Sequence, residues 1–303
     1  MRVTTEGLVN QALLALRSSL TRLARSQAQV ATGRRLSGPA DDPNAAAAAT
    51  RLQSRLAAAQ QYTRQADAVL TLLIHNEALL GQLNELSARA QELALRGANA
   101  AQGSVSAMAE EANQLLEELV TTANTEADGR RLLGGRETQT APLSVTRDAS
   151  GQITGVSVNP RGINGTIALE VAPAITVQTN LPGEEVLGAS SDPTFLPQLL
   201  IDLRDNLAAE NTEAVRALTD SLQTAQDRLQ PVIAAVGSRM RLVERVHGQT
   251  LEEALMLQAT LSELLDSDLA RVTMELQREE IVFQAALAAT ARTIQPSLVD
   301  FLR

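Results

Sequence analysis

The chain has 303 residues, is 44% apolar and carries a net charge of −9, so it has apolar material for a core of ordinary size. It contains no Cys and no Trp, and Tyr62, Phe195, Phe283 and Phe301 are its only aromatic residues. That excludes disulfides, thiolate metal sites and Cys nucleophiles, and it argues against aromatic-lined pockets for ligands or bases. All 26 basic residues are Arg, and with an acidic balance no nucleic-acid partner is expected beyond what a local basic patch could bind.

The N-terminal segment reads as a heptad helix. Apolar positions run Val9, Leu13, Leu16, Leu20, Leu23, Gln27, Val30, with spacings alternating between four and three. Arg17, Arg22 and Arg25 interrupt any continuous apolar stretch, so a cleaved secretory signal is not expected. The helix ends at Gly33, and Ser37-Gly38-Pro39-Ala40-Asp41-Asp42-Pro43 has turn residues. Asp42 suits the cap of a following helix with Pro43 at its first position.

That second helix runs from Ala45 to about Arg96 with no Pro and only Gly81 to weaken it. At 1.5 Å per residue it would be about 75 Å long, a rod that needs partners along its length. A further helix covers 105 to 124. After Gly134-Gly135 the composition shifts to short alternating runs: Leu143 and Val145; Ile153, Val156 and Val158; Ile167, Leu169 and Val171; Ile175 and Val177. Asp148 to Gly151, Asn164-Gly165 and Asn180 to Gly183 punctuate them, and Asn-Gly is read as a hairpin turn.

Helix resumes near Asp192-Pro193, with a break at Glu210-Asn211-Thr212 and a kink expected at Pro231. The last stretch repeats the seam pattern as Leu265, Leu269, Val272, Leu276, Glu279, Phe283, Ala286, Thr290, Ile294, Leu298, Phe301. The expected fold is therefore mainly α with a small β insertion, long antiparallel helices from both chain ends forming a rod. Its segments are 1–43 (coiled-coil helix and turn), 44–136 (long helical segment), 137–192 (β domain), 193–248 (helical return) and 249–303 (C-terminal coiled-coil helix).

The two ends differ in charge. The first 35 residues hold Arg2, Arg17, Arg22, Arg25, Arg34 and Arg35 against Glu6, whereas the C-terminal stretch holds Asp268, Glu275, Glu279 and Glu280 among other acids. Opposite excess on two heptad helices sets register. An antiparallel pair would place Arg25 near Glu279 or Glu280 and Arg34 near Asp268 to Val272, and Arg22 and Arg35 fall beside the same acidic zone. The alternative is that these charges are solvated flanks of unrelated helices, since exposed pairs contribute only about 0 to 1 kcal/mol each. The assembly seam is expected to be Leu13, Leu16, Leu20 and Leu23 against Leu265, Leu269, Val272, Leu276, Phe283, Leu298 and Phe301. Such a pair is marginal alone, so the ends are expected to order only among neighbouring copies.

Catalytic chemistry is not suggested. His75 and His247 stand without a carboxylate cluster, and no triad, phosphate loop or calcium loop can be built. No metal or cofactor is called for. No run of eighteen apolar residues exists, so no membrane insertion is expected. Asn164-Gly165-Thr166 also matches a glycosylation sequon.

Several of these segments resemble the bacterial flagellin family: the N-terminal heptad helix, the turn Thr32 to Pro43, the stretch Glu92-Leu93-Ala94-Leu95-Arg96-Gly97-Ala98-Asn99, and the C-terminal heptad helix. Within that family Asn124 to Gly135 and the ending Ser297 to Leu302 are similar to the branch that stands between hook and filament, with Arg131-Leu132-Leu133 departing where that branch commonly has an aromatic pair. The resemblance implies a structural subunit joining hook to filament, with flagellin itself as the second reading and a cytoplasmic coiled-coil scaffold as a third. It further implies an extracellular place on the flagellum, export without a cleaved signal peptide, and a ring of identical subunits. The implied partners are a hook-side junction protein, filament-side flagellin and an export chaperone on the C-terminal helix.

Overall fold

The structure, a computed structural model, describes residues 5–36, 38–100 and 105–301, with backbone alone at 5, 6, 8, 9 and 292–301. Seven helices and three β ribbons follow one another among the described residues. They are α1 (Thr5–Thr32), α2 (Pro43–Ala98), α3 (Ser106–Ala123), β1 (Glu126–Ala127), β2 (Arg130–Arg131), β3 (Leu143–Arg147), β4 (Ile153–Val158), β5 (Ala168–Ala172), β6 (Ile175–Gln178), α4 (Gly183–Leu187), α5 (Leu196–Ala208), α6 (Thr212–Leu265) and α7 (Leu269–Phe301). The chain is mainly helical with small antiparallel sheets.

It divides into two compact units, Met1–Ala59 with Glu252–Arg303, and Gln60–Leu251. α2 and α6 run unbroken through the limits between these units. Pro231 also lies inside the unbroken α6.

The unit Gln60–Leu251 holds the large core. Leu73, Leu80, Leu83 and Leu93 of α2, Leu116 and Leu119 of α3, Leu203 and Leu207 of α5, and Leu222, Leu229, Val236 and Val243 of α6 are buried together. The α6 positions lie seven apart, so one stripe of that helix faces inward throughout. Gly97 lets α2 approach α5: a Cβ there would stand 2.4 Å from Leu207 Cδ2. His247 Nε2 lies 3.0 Å from Asp67 Oδ1, an ion pair between α6 and α2 when the imidazole is protonated.

The ribbons are three separate two-stranded antiparallel pairs, β1 with β2, β3 with β4, and β5 with β6. Asp128 and Gly129, at φ 50° and 72°, make the two-residue turn of the first. In the second, Asp148 Oδ1 accepts hydrogen bonds from Ser150 Oγ at 2.6 Å and from the Ser150 and Gln152 amides at 2.9 Å each. The third turns at Pro173-Ala174, where Ala174 has φ 63° and donates its amide to Glu170. Asn164-Gly165 is thus not a hairpin turn. It lies in the loop before β5, where the Arg136 amide and the Asn180 side chain hold its carbonyls; the Asn-Gly signal is local and carries no information on strand pairing.

The ribbons are tied to the helices by polar side chains. Buried Arg204 of α5 donates to the Ile153 carbonyl of β4 at 2.6 Å and pairs with Asp205. Arg147 of β3 forms a two-pronged bond with Glu117 of α3, which lowers the pKa of that carboxyl. Hydrogen bonds from Ser150 hold the Asp148 carboxyl below the usual range, and those from Thr194 do the same for Asp192. A lowered folded-state pKa stabilises the fold above the unfolded value and is lost as pH falls through the folded one. Stability is therefore expected to drop on acidification below the ordinary carboxylate range, with amide protection at Ser150 and Thr194 lost early. An Asp148→Asn chain should show a shallower acid slope in thermal melts, and an unchanged slope would contradict the assignment.

Candidate assembly interface

Within the unit formed by the chain ends, α1 and α7 lie side by side and antiparallel. The Gly33 carbonyl accepts the Ser267 amide at 2.9 Å, and eleven residues earlier Arg22 Nε donates to both Glu279 oxygens at 3.2 Å. The sequence register of Arg25 with Glu279 or Glu280 is thus displaced by about one helical turn. Arg25 instead pairs with Asp41 of the turn before α2, at 3.4 Å. Arg34 forms a backbone bridge with Asp266 rather than facing Asp268 to Val272. Asp268 caps α7, its Oδ1 accepting the Ala270 and Arg271 amides. Glu275 lines a polar cleft of about 460 Å³ together with Arg22, Arg25 and Arg271, and Glu280 is exposed.

The break at Asp266 to Asp268 divides what the heptad pattern reads as one helix. Three residues that favour turns and caps stand together there, a signal masked by Leu265 and Leu269 continuing the spacing. Opposite the break, the stretch after α1 closes a latch. The Arg35 amide donates to the Leu265 carbonyl at 2.7 Å, its guanidinium to Leu264 at 2.9 Å, and Gln29 Nε2 to the Arg35 carbonyl at 2.9 Å. Arg35 thereby satisfies carbonyls that the end of α6 leaves open.

The face that α1 turns inward is not the all-leucine line. Ser19 and Ser26 are buried, and Ala12, Leu16, Leu23 and Val30 are half-buried. These positions also alternate four and three, so Leu16, Leu23 and Val30 belong to both readings while Ala12, Ser19 and Ser26 replace Leu13, Leu20 and Gln27. Small residues let the two helices come close. On α7, Val272 is buried and Leu276, Glu279, Phe283, Ala286 and Thr290 are half-buried. Leu265, the last residue of α6, is half-buried. The side chains of Leu298 and Phe301 lie outside the described residues.

Much apolar surface is left over. Leu13 is 42% exposed, Leu20 53%, Leu269 51%, Met274 64% and Ile281 67%. The rest of the unit offers little to compensate, since Ala59, Ala254 and Leu257 with Leu52 and Leu56 form a small, alanine-rich cluster. Contiguous exposed apolar surface marks a site of interaction. Among the described residues no group of three or more His, Cys, Asp or Glu could hold a metal ion. No helix among them is long and apolar enough to cross a membrane.

Residues 3–138, which take in α1, the stretch that forms the latch, α2 and α3, match the bacterial flagellin N-terminal helical region. That match covers the N-terminal part of the chain, up to the first β ribbon. Along nearly its whole length the chain is similar to flagellar hook-associated protein 3 of Escherichia coli strain K12, at 24% identity over 311 residues, 95% of this chain and 96% of the relative. The same-named protein of Salmonella typhimurium strain LT2 is 22% identical over 320 residues, 97% and 96% of the two chains. A solved flagellar hook-associated protein-3 from Legionella pneumophila shares the fold, with a TM-score of 0.58 at 15% identity over 71% of this chain and 98% of that one.

Proposed function

We propose that this chain is a structural, non-enzymatic subunit of the bacterial flagellum that joins hook to filament and assembles through its terminal helices. The observation that carries the proposal is the pairing of α1 with α7 through a small-residue seam, with Leu13 and Leu20 of α1 and Met274 and Ile281 of α7 left exposed. Full-length similarity to relatives named hook-associated protein 3 supports the same reading.

In this role the leftover apolar lines are buried by identical subunits in a ring, with a hook-side junction protein on one side and filament-side flagellin on the other. The long helices form a rod, and the ends order fully among neighbours because their own cluster is small. The subunit works outside the cell, reaching it without a cleaved signal peptide and with a chaperone on α7 beforehand. Deleting the gene is the test. Cells should build hooks, lack filaments and release unpolymerised flagellin into the medium, with recovery on complementation. Filaments of normal length would refute the proposal, and absent filaments with no flagellin released would favour flagellin itself.

A further inference from the structure

We propose that Asn164 is a site of spontaneous covalent modification in the folded chain, its side-chain amide being lost through attack by the backbone nitrogen of Gly165. Asn164-Gly165 is the one Asn-Gly step in the sequence. Gly165 has no side chain to shield its nitrogen, and at φ +91° it occupies a backbone region that other residues rarely enter. Asn164 is exposed, and among the described residues no hydrogen bond engages its amide group or the Gly165 N–H. Neither the nucleophile nor the leaving group has a partner to give up.

Other asparagines in the same region are tied down. Asn180 accepts the Ile167 amide and donates to the Gly135 and Gly165 carbonyls. Asn124 both donates to and accepts from Leu143, and Asn159 donates to Thr140 and accepts from Arg161. The local environment thus sets Asn164 apart, in addition to its glycine neighbour.

The step balances with water as the only other reactant. A bond forms from the Gly165 nitrogen to Asn164 Cγ, the Cγ–Nδ2 bond breaks, and ammonia leaves with the proton from Gly165. Water then opens the five-membered imide at either carbonyl. One opening gives aspartate; the other gives isoaspartate, in which the main chain gains a carbon and the former backbone carbonyl of residue 164 becomes a carboxylate. That carbonyl now accepts the Arg136 amide at 3.0 Å, and Arg136 Nε donates to Thr166 at 3.3 Å. The new negative charge therefore forms beside a guanidinium able to neutralise it, so the product is tolerated without unfolding.

The intact chain would be aged in mildly alkaline buffer under conditions where circular dichroism stays native, then mapped by peptide mass spectrometry and isoaspartyl methyltransferase labelling. The expected result is loss of the amide at residue 164 ahead of every other asparagine, faster as pH rises. Asn164→Gln should remove the acidic species from ion-exchange profiles, and Asn164→Asp should reproduce it while keeping the native melting curve. An amide that stays intact at 164 while the chain is folded, and is lost only after unfolding in urea, would overturn the proposal.

Discussion

A chain carrying Leu13→Glu together with Leu20→Glu is expected to keep the wild-type circular dichroism and melting curve yet to leave cells without filaments. Both leucines are exposed, at 42% and 53%, so a charge there faces water and costs the free chain only tenths of a kcal/mol. Neither lies on the face α1 turns toward α7. Once a neighbouring copy covers that line, each glutamate becomes an unpaired buried charge costing several kcal/mol. The control is Ser19→Glu, on the buried seam, which should damage the isolated chain itself. Motile cells with the double variant would show that the line does not meet another subunit, and early melting of the double variant would show that the line is packed within the free chain.

The second large effect is expected at Gly135→Ala. Gly135 has φ +59°, and a Cβ there would lie 2.3 Å from the Asn164 carbonyl oxygen and 2.5 Å from that of Ile163. Both are backbone atoms, held in turn by the Arg136 amide and the Gly183 amide, and the Gly135 carbonyl is fixed by Asn180 at 2.8 Å. No flexible side chain can yield, so left-handed strain and overpacking add to about 4 kcal/mol. Gly151→Ala is the matched control. It also has positive φ, +88°, but meets nothing within 4 Å, so only the backbone cost of about 1 kcal/mol applies. Denaturant unfolding separates the two, and equal losses would contradict the steric account.

The elements were legible wherever period and punctuation agreed. The runs at Leu143, Ile153, Ile167 and Ile175 fall in or within a residue of strands, and Asp42 accepts the Asn44 and Ala45 amides as the cap of α2. The face of α1 was not legible. Its sequence holds two interleaved seven-residue lines, Leu13 with Leu20 and Ser19 with Ser26, and hydropathy ranks the leucines first. Which line meets α7 depends on how closely two backbones approach, and a single-chain pattern does not contain that distance. The register error has the same origin. Charge excess indicated that the ends face each other, but Arg25 had a nearer acid in Asp41, contributed by the turn between α1 and α2.

The latch bears on the order in which the chain can acquire structure. Arg35 and Leu264 are 229 positions apart, and Arg22 and Glu279 are 257 apart. Contacts of such separation close the largest loops the chain can form, and their closure entropy is met before any local reward. In a chain that becomes available from one end, whichever helix appears at the start waits without its mate until the last segment is present. The clasp at Gly33 to Arg35 therefore closes only when both ends are present: a chain cut short before α7 keeps the residues of the Gln60–Leu251 core but has no means of closing its ends.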